Sequence, residues 1–355
     1  MQRVAPVLPL IFVSLLAAIW SGWLRIGWHL PLSQTAAHHG ALMVNSFLAS
    51  LIFLERAVTF KKSWWLLLPF GNAISLLAFA CNQPQLAQWL QIGGSAGFAA
   101  MCIYFTYKYG ELYYFVFLAG AFCLVGGNLV LLKTHFYPAA VTWWMGFLLF
   151  TIVAERLELS RFLPLSNASR VILLFCLCVV MASLFWPFHL NGQLVFASGV
   201  AATAVWLLRY DMARKSIKLQ GQHRYSALLL IAGYAWLLIM AVLIFFQERL
   251  PFGYDAVLHS FFIGFVFSMI FSHAPIILPA VTKMPVKIYR PFLYVWFWLL
   301  QVSLAVRIVG DVTGDAMARK GGGIANGIVI LLFFLTIATL FRVEVQKRNK
   351  RLRKT

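Results

Sequence analysis

Acidic residues are scarce: the 355-residue chain holds 10, against 29 lysines and arginines. Charge of any kind is thin, at 11% of residues, while 62% are hydrophobic. Soluble domains carry about a quarter of their residues charged, so a water-soluble globular fold is excluded. The few Asp and Glu fall mostly in loops, so the carboxylate clusters of a lipid-modifying enzyme are missing too. The five cysteines, at 81, 102, 123, 176 and 178, make no CxxC, no CxxCH and no zinc spacing. Covalent c-type haem attachment is therefore not expected, and all five read as small buried hydrophobes. Short alternating segments are absent as well, which argues against a membrane barrel. The net charge of +19 comes with no nucleic-acid-binding motif, so no such partner is expected.

What the chain has in abundance is apolar runs of about 20 residues, each enough to cross a bilayer as a helix. They predict an all-α polytopic membrane protein with about twelve transmembrane helices. The spans fall near 6–30, 38–56, 64–82, 86–108, 111–132, 138–156, 168–188, 192–210, 225–246, 255–280, 289–310 and 322–342. The first run lacks a small-residue cleavage site and reads as a helix rather than a signal peptide. A single twelve-helix domain over 1–342 and a basic tail over 343–355 follow. With the N-terminus inside, 23 of the 29 Lys and Arg fall on the inner side and 6 on the outer. That asymmetry sets both termini in the cytoplasm and accounts for the net charge. The lipid bilayer is thus the first partner, and the tail KRNKRLRKT is expected to lie against anionic lipid. Glu55–Arg56 and Glu155–Arg156, 100 residues apart at inner helix ends, suggest three four-helix units; interfacial anchoring is the simpler account of both pairs.

The histidines carry the functional signal. Of eight, His29, His38, His39, His135, His189 and His259 cluster at or near the outer face. An ionisable residue at the start of an apolar span is a functional candidate. His39 opens the second helix and His259 lies about a turn into the tenth. Both helices run inward, so the two imidazoles are expected at similar depth. Two imidazoles so placed suit the two axial positions of a low-spin b-type haem. Gly40, Ala41, Ser46, Ser260 and Gly264 would leave room for a flat macrocycle, with Phe261, Phe262, Phe265 and Phe267 to pack on it. A hydrogen bond to a neighbouring helix is the plainer alternative for each histidine. His39 is preferred to His38 because Gly40 follows it. His273, 14 residues after His259, falls on nearly the same helix face at 3.6 residues per turn. It is a lesser metal candidate, since without a matching second pair it reads as satisfying a carbonyl freed by Pro275. Arg307, with Asp311 four residues on, is a candidate clamp for haem propionates or a simple i,i+4 pair. Arg25, with His29 one turn later, is a second candidate.

HGALM from His39 resembles the HGxxM opening of helix 2 in haem–copper oxidase subunit I, and HSFFIGFVFSMIF from His259 resembles its tenth helix. The resemblance implies that His39 and His259 ligate a low-spin haem and that Arg307 binds propionates. The sixth helix, AVTWWMGFLLFTIVAER, has no histidine, and Phe261 stands where that family has a second one. Oxygen or nitric oxide reduction of the usual kind is therefore not expected. HSFFIGFVFSMIFSHAPIILPAV is also similar to the NnrS family of bacterial membrane haem proteins. That resemblance implies haem b, copper on His29, His38 or His189, a redox role in the response to nitric oxide and nitrosative stress, an electron donor or nitric oxide as partner, and a place in the bacterial inner membrane. The alternative is a twelve-helix secondary transporter. Asn45, Asn72, Ser75 and Asn128, with Gly93-Gly94 and Gly126-Gly127, supply the polar or broken midplane it would need.

Overall fold

The computed structural model describes residues 7–60, 62–160, 163, 165–186 and 192–352. Every regular element among them is helical. The long helices are α1 (Val7–Arg25), α2 (Ser33–Ala57), α3 (Ser63–Ala80), α4 (Pro84–Tyr109), α5 (Leu112–Thr134), α6 (Tyr137–Ser160), α7 (Asn167–Leu184), α8 (Gln193–Tyr210), α9 (Gln222–Arg249), α10 (Gly253–Val281), α11 (Leu293–Thr313) and α12 (Ala316–Leu352). All except α4 are long and apolar enough to cross a membrane, the make-up of a multi-pass membrane protein. α4 falls short because Gln85, Gln88, Gln91, Ser95 and Lys108 punctuate it. The cause of the helical fold is solvent: hydrocarbon offers a backbone N–H no partner, so each span closes its bonds within itself.

The helix ends follow local chemistry. Gly27, at φ 95°, ends the first span, and α1 stops at Arg25. His29 is therefore in an exposed loop and not one helical turn beyond Arg25, as the apolar run suggested. Pro84 opens α4, where its missing N–H costs nothing, and Gly110 closes it at φ 67°. α12 continues to Leu352, so the basic stretch from 343 extends the helix instead of leaving it. At 1.5 Å per residue it is about 55 Å long, well beyond a hydrocarbon core of about 30 Å.

The chain divides into two compact units, residues 1–154 with 280–284, and residues 155–279 with 285–355. The division falls inside α6. The two Glu-Arg pairs are not alike. Arg56 lies 4.3 Å over the Phe117 ring in the first unit. Arg156 is buried in the second, 3.9 Å from Asp211. Cys102, Cys123 and Cys176 are buried as expected, but Cys81 and Cys178 are exposed. Cys81 lies in the turn after α3; Cys178 is on α7, and the outer face of a membrane helix is as apolar as the core, so a small apolar residue there has no need to turn inward.

Two helices contain a wider winding. α2 begins as a 3₁₀ turn over Ser33–His38 and passes through His39–Ala41 into a π-helix, Leu42–Ala49. α10 runs as an α-helix over Gly253–His259, then as a π-helix over Ser260–Phe267. α3 has a turn at Ile74. The glycine pairs, by contrast, interrupt nothing: α4 and α5 run straight through them. Gly126 and Gly127 seat Trp143 and Trp144, whose rings a Cβ would meet at 2.7 Å.

Candidate functional site

His39 belongs to the first unit. Its Nδ1 lies 2.8 Å from the Ala18 carbonyl and 3.3 Å from Ser21 Oγ, both on α1. The imidazole is seated on Gly22, where a Cβ would meet its Cε1 at 2.8 Å. A carbonyl can only accept, so Nδ1 carries the proton and the ring's lone pair is on Nε2. The π-helical stretch starts three residues later. π-bulges favour functional sites because they shift side chains out of the α-helical register. His38 is built differently. Its Nδ1 is 2.7 Å from Tyr137 Oη, and its ring stacks on Phe79 at 4.6 Å, so it is locked by two side chains. Arg25 is exposed at the end of α1.

Below His39 lies a buried polar chain. Asn72 Nδ2 donates to the Asn45 carbonyl at 2.6 Å and to Ser50 Oγ at 2.9 Å. Ser46 and Ser75 share a bond of 2.8 Å, and Gln91 Nε2 reaches Ser75 at 3.2 Å. Asn128 donates to the Gln91 carbonyl at 3.2 Å, and its Oδ1 accepts from Trp144 Nε1 at 2.9 Å. Ser46, expected to leave space, is therefore occupied in holding α3. Both side-chain amide atoms of Asn45 and Oδ1 of Asn72 are buried with no protein partner.

His259 belongs to the second unit and sits directly before the other π-helical stretch. Its Nδ1 is 2.9 Å from the Asp255 carbonyl and 3.4 Å from Asp255 Oδ1. The proton again belongs on Nδ1. A carboxylate behind the ring raises the basicity of Nε2, the usual support of a metal-binding histidine. Asp255 in turn anchors two arginines. Arg307 Nη2 is 2.9 Å from its Oδ2, and Arg319 Nη2 is 3.6 Å from the same atom. Asp311, fully buried, takes Arg319 Nε at 3.0 Å and stands 3.9 Å from Arg307 Nε. Two arginines thus face two aspartates, and the charge of Arg307 is matched inside the protein. The i,i+4 partner Asp311 was expected; Asp255 and Arg319 were not. Close helix packing makes this possible. A Cβ on Gly322 would come 2.6 Å from Arg307 N, and one on Gly310 would fall on the Arg319 amide nitrogen.

The second unit also revises the expected space beside His259. Gly264 is filled by Trp236 of α9, whose Cβ would be 2.6 Å from an added Cβ. Phe261, Phe265 and Phe267 are fully buried in the packing of α10. Ser260 Oγ is buried with no protein partner. His273 Nδ1 bonds the Met269 carbonyl at 2.8 Å, not the Phe271 carbonyl that Pro275 leaves without its N–H. The same-face argument for His259 and His273 also fails. Eight π-helical residues lie in that interval, and a wider turn advances fewer degrees per residue. His189 lies outside the described residues. No group of three or more His, Cys, Asp or Glu among the described residues is arranged to hold a metal ion.

A model of the family described as a domain of unknown function (DUF8744) matches residues 3–342. The chain belongs to this family. The match takes in α1 to α11 and α12 as far as Arg342, where its basic stretch begins. It overturns the resemblance to the NnrS family and to haem–copper oxidase subunit I, because the family that takes in nearly the whole chain is a different one. The motifs behind that resemblance covered about thirty residues of apolar, aromatic-rich helix. Such stretches recur wherever helices cross a membrane. No curated protein and no solved structure matches the chain.

Proposed function

We propose that this protein is a membrane-embedded b-type haem protein whose candidate iron ligands are His39 in the first unit and His259 in the second. The observation that carries the reading is one construction, found once in each unit. An imidazole near the head of a long apolar helix holds its Nδ1 proton on a main-chain carbonyl, points its chemistry through Nε2, and leads into eight residues of π-helix. Haem, when bound, would supply one-electron chemistry. Histidine ligation at both residues would suit electron transfer better than gas binding. The chain's own contribution is orientation. Ala18 and Ser21 fix His39, while Asp255, itself held by Arg307 and Arg319, fixes His259 and makes it a stronger donor. In this reading Arg307 is a positioning residue. On the same reading the protein sits in a bacterial inner membrane, and the Lys and Arg asymmetry supports cytoplasmic chain ends with the two histidines toward the outer face. The test is haem retention: His39→Ala and His259→Ala should each lose it, and His223→Ala should keep it. Full haem loading in both ligand variants would end the proposal.

The second reading is a solute transporter, and one observation favours it. Asn45 and Asn72 bury amide atoms without protein partners beside the π-helical stretch of α2. Unwound backbone and buried amides line substrate sites in transporters. Uptake by proteoliposomes that Asn45→Ala abolishes, with no haem bound, would select this reading over the first.

A further inference from the structure

The second unit carries a cavity of 420 Å³ at the end of α8, and neither His39 nor His259 lines it. Leu163 and Leu165 line it on one side, and Arg209, Arg214, Lys215 and Lys218 supply four cations. All four are exposed. Four like charges around one cavity repel unless something neutralises them. The one carboxylate among the described lining residues, Asp211, does not. Its side chain is 1% exposed, its Oδ1 accepts from Ala213 N at 2.6 Å, and its Oδ2 is 3.9 Å from buried Arg156. It is turned into the protein and matched there.

The arginines are also pre-set. Arg209 Nε donates to Tyr210 Oη at 3.3 Å, and Arg214 Nη1 to the Arg209 carbonyl at 3.3 Å. Each keeps further N–H donors in a planar fork, the shape that matches phosphate oxygens. Tyr210 is itself steadied by Trp206, 5.4 Å away between ring centroids, whose Nε1 donates to the Ser169 carbonyl at 2.8 Å. We infer that this basic cavity binds a phosphate ester of headgroup size through Arg209, Arg214, Lys215 and Lys218. Its volume is more than a bare phosphate fills, and the leucines would contact the ester's carbon portion. An anionic phospholipid headgroup and a soluble phosphate ester share this chemistry.

The test uses the full chain in phosphatidylcholine nanodiscs. Thermal stability is followed while glycerol 3-phosphate is added in one arm and phosphatidylglycerol is raised in the other. Either ligand is expected to raise the melting temperature, and the arm that does so names the source. The R209Q/R214Q/K215Q/K218Q variant should weaken that binding about tenfold or more. K347Q/R348Q/K350Q/R351Q, which removes equal charge from α12, should leave it unchanged. The single variant Lys215→Glu, at an exposed position, should keep the ligand-free melting temperature and lose affinity. Failure of both arms to stabilise the protein overturns the inference. So does equal loss in the α12 variant, which would mean diffuse charge and no cavity site.

Discussion

Adjacent glycines in α12 should respond to the same substitution in opposite directions. Gly321 faces open space, with nothing within 4 Å of an added Cβ, whereas Gly322 faces the backbone of Arg307. Ala in place of an unobstructed helical Gly gains about 0.5–1 kcal/mol by reducing the freedom of the unfolded chain. Gly321→Ala should therefore stabilise. At Gly322 the methyl lands 2.6 Å from Arg307 N, 2.7 Å from its Cα and 2.8 Å from its Cβ. Ordinary contact begins near 3.4 Å, so α11 and α12 must part by about 0.8 Å. Overpacking of this kind costs about 1–3 kcal/mol, which outweighs the propensity gain. Gly310→Ala meets the Arg319 amide across the same contact. One displacement relieves both clashes, so the double variant should lose less than the sum of the singles. The assay is the unfolding midpoint in a mixed-micelle denaturant titration of all four proteins. Gly322→Ala at or above the stability of Gly321→Ala would refute the close approach of these helices, and with it the support proposed for Arg307 and Arg319.

Substitutions at three further places probe other parts of the account. In α4 the same contrast should appear, since Gly93 is open and Gly94 is pressed against the Asn72 side chain: Gly93→Ala should be neutral or stabilising and Gly94→Ala destabilising by about 1–3 kcal/mol, read by the same titration. Asn128→Ala strands the buried Trp144 Nε1 and should cost about 1–2 kcal/mol, whereas Asn128→Asp, which keeps an acceptor, should recover part of that loss. Asp255→Ala removes the carboxylate shared by two arginines and should cost about 3 kcal/mol, and in haem-loaded protein it should also raise the midpoint potential by weakening His259 as a donor; an unchanged potential would separate Asp255 from the ligand.

A fourth concerns pH. Burial holds the Asp211 carboxyl above the ordinary carboxylate range, against the opposing pull of Arg156 and the Ala213 amide. A carboxyl raised in the folded state contributes stability below its unfolded pKa of about 3.9 and loses it as pH rises through the folded value. The melting temperature of the wild type relative to Asp211→Asn should fall from about pH 4 upward, then level off. A difference that grows with pH would mean that Arg156 outweighs burial.

The spans were legible because their cause is local: each run of apolar residues has to close its own hydrogen bonds. What lies inside them was not. The π-helical stretches of α2 and α10 depend on packing against α1 and α9, and nothing in LMVNSFLA or SFFIGFVF announces a wider turn. The same stretch removed the same-face link between His259 and His273. Asp255 had a readable signal that went unused: an aspartate four residues before a histidine at the head of an apolar helix, in a chain with ten acids. Arg319 pairs with Asp311 eight residues away only because Gly310 and Gly322 let two helices touch, a tertiary fact. The glycine pairs misled in the other direction, since a membrane helix tolerates glycine as a seat for an indole as readily as at a break.

The most direct measurement is an optical spectrum of the detergent-purified protein reconstituted with haem, oxidised and dithionite-reduced, with a pyridine haemochrome assay. The haem reading expects a sharp reduced α-band, about one haem b per chain, and loss of both in His39→Ala and in His259→Ala. A protein that stays colourless after reconstitution would contradict it and leave the solute transporter as the reading to pursue.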